Sequence, residues 1–458
     1  MSADTLPGLL ERHDAAAPAL IDRGQRVSFA QLADESRRAA RGLRALGVGP
    51  GDRVAIWLPN VAAWLASFFA CAQLGAIAVC VNTRFRSHEL ADILGRSRAK
   101  VLVFWPGFKG IDFAGVLDGC APGGLAHLEA VVAYGETRDS IPGKKSAIAY
   151  SRLVGGEPLQ ESRAAADAGC AVFTTSGTTR APKFVLHDQR TVLAHAADVV
   201  RGFGIGKDAV VLLIPPFCGV FGFCIAMAAL AAGRPLVLAP AWDAAQAARD
   251  IVAHDVTHAC GTDEAAAQLL AIPGADFARL RFFGYAAFNP AHANIVQRAD
   301  SRGLKLVGLY GMSEVQALFA RQDESAPVAE RLLGGGRPMS PLARVRARDP
   351  ESGKVLAHGA QGELEFVAPS SRMVGYLGDD EATRKALTED GWFRSGDLGH
   401  TLADGRFVFL ARMGDALRLG GFLVSPARSR PWCRKRPASP PARSSAWPGR
   451  KACGRSLS

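Results

Sequence analysis

Phe173 to His187 reads F-T-T-S-G-T-T-R-A-P-K-F-V-L-H. Thr174, Thr175, Ser176, Thr178 and Thr179 put five hydroxyls around Gly177, and Pro182 and Lys183 follow. Hydroxyls and a small glycine let a turn wrap phosphate oxygens with side-chain and backbone donors, and a lysine adds a mobile point charge. The stretch therefore reads as a polyphosphate cradle, with a polar Ser/Thr linker as the bland alternative. Ala171 to Phe173 reads as a strand before it and Thr191 to Val200 as a helix after it, so the expected order is strand, cradle, helix. A Walker A loop is excluded, because Lys183 is followed by Phe184 and not by Ser or Thr.

The chain has 458 residues, 48% hydrophobic and 21% charged, which predicts a globular protein of two or more domains or subdomains. Its net charge of +11 is unevenly distributed. Arg428 to Ser458 holds nine Lys/Arg and no acid, so the remainder carries 45 basic against 43 acidic residues. A nearly neutral body argues against a nucleic-acid surface, which needs clustered cations. Nine dispersed cysteines without C-x-x-C fit reduced thiols in a cytoplasmic protein better than a disulfide framework. Met1 to Gly8 has neither the basic nor the apolar region of a secretory leader. Two uncharged or nearly uncharged runs, Val54 to Asn82 and Ala209 to Gly233, reach the length of a membrane span of about 20 residues. Pro59-Asn60 and Pro215-Pro216 break them, so each reads as buried strand, turn and buried helix.

Ser28 to Gly47 predicts an amphipathic helix with a Ser28/Gln31 capping box. Val54 to Leu58, Ala76 to Val81 and Val101 to Trp105 alternate with helices at Val61 to Leu74 and Ser87 to Leu94, the pattern of an α/β fold with parallel sheet. Gly107 to Asp167 reads as a loop-rich connection.

The cradle resembles the signature T-S-G-T-T-G-x-P-K-G of the adenylate-forming, AMP-binding superfamily, which includes acyl-CoA synthetases. Thr175, Ser176, Gly177, Thr178, Thr179, Pro182 and Lys183 match, whereas Arg180 and Phe184 stand where the family has glycines. Two further motifs follow in family order. Tyr310-Gly311-Met312-Ser313-Glu314 is similar to Y-G-x-T-E, and Gly391 to Gly399 is similar to G-W-[FY]-x-T-G-D-x-G, with Asp397 as its aspartate.

The resemblance implies a large multi-subdomain α/β domain with parallel and mixed sheets and a small β-barrel-like subdomain over residues 1–412. It also implies ATP, Mg²⁺ and CoA as cofactors or co-substrates, and a small-molecule carboxylate as substrate. Carboxylate and MgATP would give acyl-adenylate and pyrophosphate, and CoA would then give acyl-CoA. Thr175, Lys183 and Glu314 would serve catalysis, with Glu314 holding the metal. Thr175 to Thr179, Lys183, Tyr310, Gly311, Ser313, Asp397 and Arg412 would bind nucleotide, Tyr310 by stacking on adenine and Asp397 through both ribose hydroxyls. Phe217, Cys218, Gly284 and Tyr285 are the substrate-side candidates, though a buried core role competes for the aromatics and for Cys218.

Gly414 falls at the family's hinge, and 413–427 reads as the remnant of a small C-terminal domain. Residues 428–458, with five prolines and no apolar periodicity, read as a basic tail unable to bury a core. Two function classes follow: an acyl-CoA synthetase impaired by loss of its C-terminal domain, or a non-catalytic nucleotide- or acyl-binding module.

Overall fold

A computed structural model describes residues 4–135, 147–175, 182–415, 417–419 and 422–424. Two large sheets organise it. The first has eight strands and centres on Arg53–Trp57, flanked in parallel by Ile77–Cys80 and Val101–Phe104. Burial of both faces explains why these strands are continuously apolar. Helix Ala62–Leu74 is buried all round and crosses between the first two of them. The run Val54 to Asn82 is thus strand, helix and strand, and Ala209 to Gly233 likewise resolves into strand Val211–Leu213 and helix Val220–Ala231. Among the described residues, no helix is long and apolar enough to cross a membrane.

Helix Phe29–Ala45 begins on the anticipated capping box. Ser28 accepts from the Gln31 N–H at 3.1 Å and Gln31 Oε1 accepts from the Ser28 N–H at 2.8 Å. The Gly107 to Asp167 connection holds more order than expected. It includes helix Phe113–Asp118 and strands Ala130–Ala133 and Ala147–Ala149, which extend the first sheet in parallel.

The second sheet has thirteen strands. Val211–Leu213, His258–Thr262, Phe282–Ala286 and Leu306–Tyr310 run parallel through its middle. From Leu306–Tyr310 onward the pairing turns antiparallel and continues through Ala320–Arg321, Gly334–Pro338, Phe407–Arg412, Phe393–Thr401, Gly362–Val367 and Arg344–Arg348. This antiparallel portion closes on its own core, in which Tyr310, Phe319, Phe366, Phe393 and Phe407 meet Val185 and Tyr376 from the first sheet. The two sheets therefore touch where the sequence motifs fall.

The strand, cradle, helix order needs correction. Between the cradle and the helix lies a second strand, Phe184–Asp188, antiparallel to Gly169–Thr174, so the cradle is the tip of a hairpin. Phe184 and Val185 are buried on opposite faces, and the strand lacks the alternation that would reveal it. Asp188 then caps the helix, accepting from the Thr191 N–H at 2.8 Å, so the helix starts at Gln189.

Candidate active site

The hairpin neck is closed by two bonds. The Thr175 N–H donates to the Lys183 carbonyl at 3.0 Å, and the Lys183 N–H donates to Thr175 Oγ1 at 3.1 Å. Ser176, Gly177, Thr178 and Thr179, with Arg180, lie outside the described residues. Phe184, in place of a family glycine, is a strand residue without positive φ and is buried in the core beneath the first sheet. Arg96 lies over its ring at 4.5 Å and donates to the Pro182 carbonyl at 2.8 Å, which ties the hairpin to helix Ser87–Ser97.

Lys183 extends its ammonium over the face of Tyr376, 4.3 Å from the ring centroid. The Tyr376 hydroxyl donates to Glu314 Oε1 at 2.9 Å. Glu314 is buried in a short turn, Ser313–Val315, immediately after strand Leu306–Tyr310. A carboxylate has about four lone-pair directions, so one neutral donor on Oε1 leaves it capacity to bind a cation. Among the described residues, no three His, Cys, Asp or Glu side chains cluster as a metal cage. That donor set fits Mg²⁺, which is commonly held by one or two carboxylates together with substrate phosphates.

Gly311 has to be glycine. A Cβ there would sit 2.7 Å from Ala317 Cα and 2.8 Å from Leu318 N. The chain folds back this closely because Gln316 and Leu318 adopt positive φ, 56° and 70°. Three contacts from the segment following the cradle hold the fold-back. His187 Nε2 donates to the Ser313 carbonyl at 2.8 Å, His195 Nε2 to the Ala317 carbonyl at 2.8 Å, and Gln316 Nε2 to the Thr191 carbonyl at 3.1 Å. Burial lowers both imidazoles to about 4, so they are neutral at physiological pH.

Asp397, on strand Phe393–Thr401, is directly opposite Arg412 in the ladder. Its Oδ2 accepts from the Tyr310 hydroxyl at 2.6 Å, and its Oδ1 lies 3.0 Å from Arg412 Nη1. That ion pair lacks hydrogen-bond alignment, so among the described residues Oδ1 is a buried acceptor without a donor. An orphaned carboxylate oxygen fits a site that receives a ligand hydroxyl. Burial raises this carboxyl to about 6, despite the opposing pull of Arg412 and Tyr310, with Glu314 and Glu363 adding to the rise. Tyr310 is only 7% exposed and its ring is packed among Phe366, Phe407 and Phe409, so its visible task is to orient Asp397.

Thus Thr175, Lys183, Gly311, Ser313, Glu314, Tyr310, Asp397 and Arg412 are brought to one junction. Of the substrate-side candidates, Gly284 and Tyr285 lie on the strand paired with Leu306–Tyr310, and Phe217 and Cys218 follow strand Val211–Leu213. Phe217 is fully buried and stacks on Trp64 at 5.0 Å. Burial pushes the Cys218 thiol up to about 12, which leaves it an inert thiol. Gly284 lies against Leu309, and Tyr285 is buried with its hydroxyl 3.4 Å from the Arg331 carbonyl. Among the described residues, no hydrogen bond or ring contact links these four to Lys183, Glu314 or Asp397. Sequence reasoning missed Tyr376, His187, His195 and Gln316; only the Gly-Tyr pair at 375–376 carried a signal.

The arrangement gathers a cation, a metal-capable carboxylate and a hydroxyl-accepting carboxylate, which together define a nucleotide-handling protein of α/β fold. A model of the AMP-binding enzyme family matches residues 10–377, and the chain belongs to that family. It is 32% identical over 433 residues to a 3-[(3aS,4S,7aS)-7a-methyl-1,5-dioxo-octahydro-1H-inden-4-yl]propanoyl:CoA ligase of Mycobacterium tuberculosis, covering 92% of this chain and 82% of that one. It is 31% identical to a long-chain-fatty-acid CoA ligase of Thermus thermophilus, covering 87% and 74%. Its fold matches ATP-bound MatB from Rhodopseudomonas palustris with a TM-score of 0.79 at 23% identity, covering 94% of this chain and 84% of that one.

Proposed function

We propose that the junction of Lys183, Glu314 and Asp397 binds MgATP, with phosphates at the hairpin and Lys183, the metal at Glu314 and ribose at Asp397. The protein is an AMP-forming acid-thiol ligase: it uses ATP and Mg²⁺ to convert a small-molecule carboxylate to an acyl-adenylate, and CoA to convert that to a thioester. In the first step a carboxylate oxygen forms a bond to the α-phosphorus while the bond to pyrophosphate breaks. In the second the CoA thiol displaces AMP from the acyl carbon. Lys183 and the cradle hydroxyls, Thr175 and Thr178 among them, stabilise charge gathering on the departing pyrophosphate. Bound Mg²⁺ supplies further neutralisation of the phosphates.

The observation that carries this reading is the single polar chain Lys183, Tyr376, Glu314 beside the buried Asp397 and its exposed partner Arg412. Arg412 is the last of the described residues placed at this site, which supports assigning the adenylation unit to residues 1–412. A cytoplasmic setting is supported by seven cysteines among the described residues, all of them buried. The near-neutral body outside residues 428–458 supports the absence of a specific nucleic-acid partner.

Carboxylate-dependent exchange of labelled pyrophosphate into ATP, run over a panel of aliphatic and aromatic acids, is the experiment. Exchange with at least one acid, lost in Lys183→Ala, is the expected result. MgATP binding with no exchange for any acid would return the chain to a non-catalytic nucleotide-binding module.

A further inference from the structure

Tyr376 touches both charged groups of the phosphate site. Its hydroxyl reaches Glu314 Oε1 at 2.9 Å and its ring face lies 4.3 Å below the Lys183 ammonium. Its backbone is held from two sides. Tyr376 pairs with Val185 beside the hairpin, the following Leu377 N–H donates to the Phe184 carbonyl at 2.8 Å, and the Tyr376 N–H donates to Thr383 Oγ1 at 2.8 Å. The same segment also fixes the backbone of Glu314, whose carbonyl accepts from the Met373 N–H at 2.8 Å. The ring is 6% exposed, so it has little room to swing away.

We propose that Tyr376 is a positioning residue that couples the two charges, its hydroxyl fixing the Glu314 carboxylate for a divalent cation and its ring face fixing Lys183 for the nucleotide phosphates. This rests on reading the junction as the MgATP site. A phenol has an ordinary pKa of about 10, so it donates through its hydroxyl and carries no charge near neutral pH. One side chain thereby orients a cation and an anion without adding charge. Without it, a lysine more than a third exposed and on a flexible stem would sample many rotamers.

The two roles separate in the full-length chain. ATP is titrated calorimetrically in excess Mg²⁺ and again in EDTA, using the parent, Lys183→Ala, Glu314→Ala, Tyr376→Phe and Tyr376→Leu, with the thermal midpoint of each recorded. Tyr376→Phe keeps the ring, so the EDTA titration stays at the parent value while affinity in Mg²⁺ falls roughly tenfold, as for loss of a hydrogen bond to a charged group. Tyr376→Leu also weakens the EDTA titration by about two- to fivefold, the scale of an exposed cation–π contact. Lys183→Ala then costs less in the Tyr376→Leu background than in the parent. If Tyr376→Leu does not fold, Tyr376→His replaces it as the variant with a weaker ring face.

An unchanged Mg²⁺ gain in Tyr376→Phe, or an equal cost of Lys183→Ala in both backgrounds, overturns the proposal and leaves the site reading standing. Parent-like binding in both Lys183→Ala and Glu314→Ala overturns the site reading, and the proposal with it.

Discussion

Asp397 and Arg412 are cross-strand partners, and the guanidinium lies 3.0 Å from a carboxylate oxygen that has no hydrogen-bond donor among the described residues. Burial wins over this ion pair and lifts the carboxyl to about 6. Asp397 is thus mostly protonated at pH 5 and mostly ionised at pH 7.5, both taken as approximate marks around that midpoint. A ribose hydroxyl donates more strongly to the ionised form.

Nucleotide affinity is therefore expected to rise as pH passes upward through about 6. Arg412→Ala removes a charge that favours ionisation, so it moves that rise to higher pH. Asp397→Asn abolishes the pH step and weakens ATP by roughly 1.5–3 kcal/mol, the scale of a hydrogen bond to a charged group. Calorimetry of ATP binding between pH 5 and 8, roughly the window in which imidazoles and raised carboxyls titrate, checks this. An identical pH profile in parent and Asp397→Asn would assign the step to another group.

The two buried histidines predict acid sensitivity of the fold. Each imidazole is lowered from 6.5 to about 4. A base whose folded pKa is depressed supports the fold above its unfolded pKa and loses that support as pH falls toward the folded one. Each loses about 3 kcal/mol between those limits, from roughly 1.4 kcal/mol per pH unit. Asp397 acts oppositely, because its folded pKa is raised and its contribution is lost as pH rises through about 6. One carboxyl raised from 3.8 to about 6 is outweighed by two imidazoles lowered from 6.5 to about 4. Urea unfolding should show stability dropping from pH 6.5 toward pH 4, and less steeply in His187→Gln/His195→Gln. Parallel slopes in parent and double variant would refute the assignment.

The framework was legible because local rules and global fold agree. The Ser28/Gln31 box and the apolar parallel strands each announce themselves within a short window. The three motifs carrying Lys183, Glu314 and Asp397 are far apart in the chain, and the fold brings these residues to one junction. What stayed hidden depends on distance along the chain. Tyr376 meets Glu314 across 62 residues and His187 meets Ser313 across 126, and neither contact leaves a periodic mark. Strand Phe184–Asp188 was missed for a different reason: burial on both faces erases alternation, and five residues are too few to tell strand from helix by hydropathy.

The hairpin supplies a direct prediction on affinity. Thr178→Ala/Lys183→Ala should weaken MgATP at least as much as Lys183→Ala alone, while leaving the thermal midpoint within a degree or two, because Lys183 is exposed and makes no ion pair among the described residues. Calorimetric affinity equal to that of the parent would remove the cradle from the site.

Gly311 offers the sharpest test of how backbone packing sets the metal carboxylate. It precedes Glu314 by three residues, and a methyl there would meet backbone atoms of Ala317 and Leu318 at 2.7 and 2.8 Å. Neither neighbour can yield by rotating a side chain. Ala317 is pinned by His195, and Leu318 already holds a positive φ of 70°. Relief has to come from moving the Ser313–Val315 turn, which carries Glu314 away from the Tyr376 hydroxyl. Gly311→Ala is therefore expected to cost about 1–3 kcal/mol of stability, the scale of overpacking, and to lose the Mg²⁺-dependent part of ATP affinity while keeping the Mg²⁺-independent part. Gly274→Ala is the control: its φ of 69° strains a substituted backbone, but nothing lies within 4 Å of the added carbon. It should lower stability through backbone strain alone and leave the Mg²⁺ gain intact. Equal Mg²⁺ gains in the two variants would mean that the fold-back at Gly311 does not set the position of Glu314.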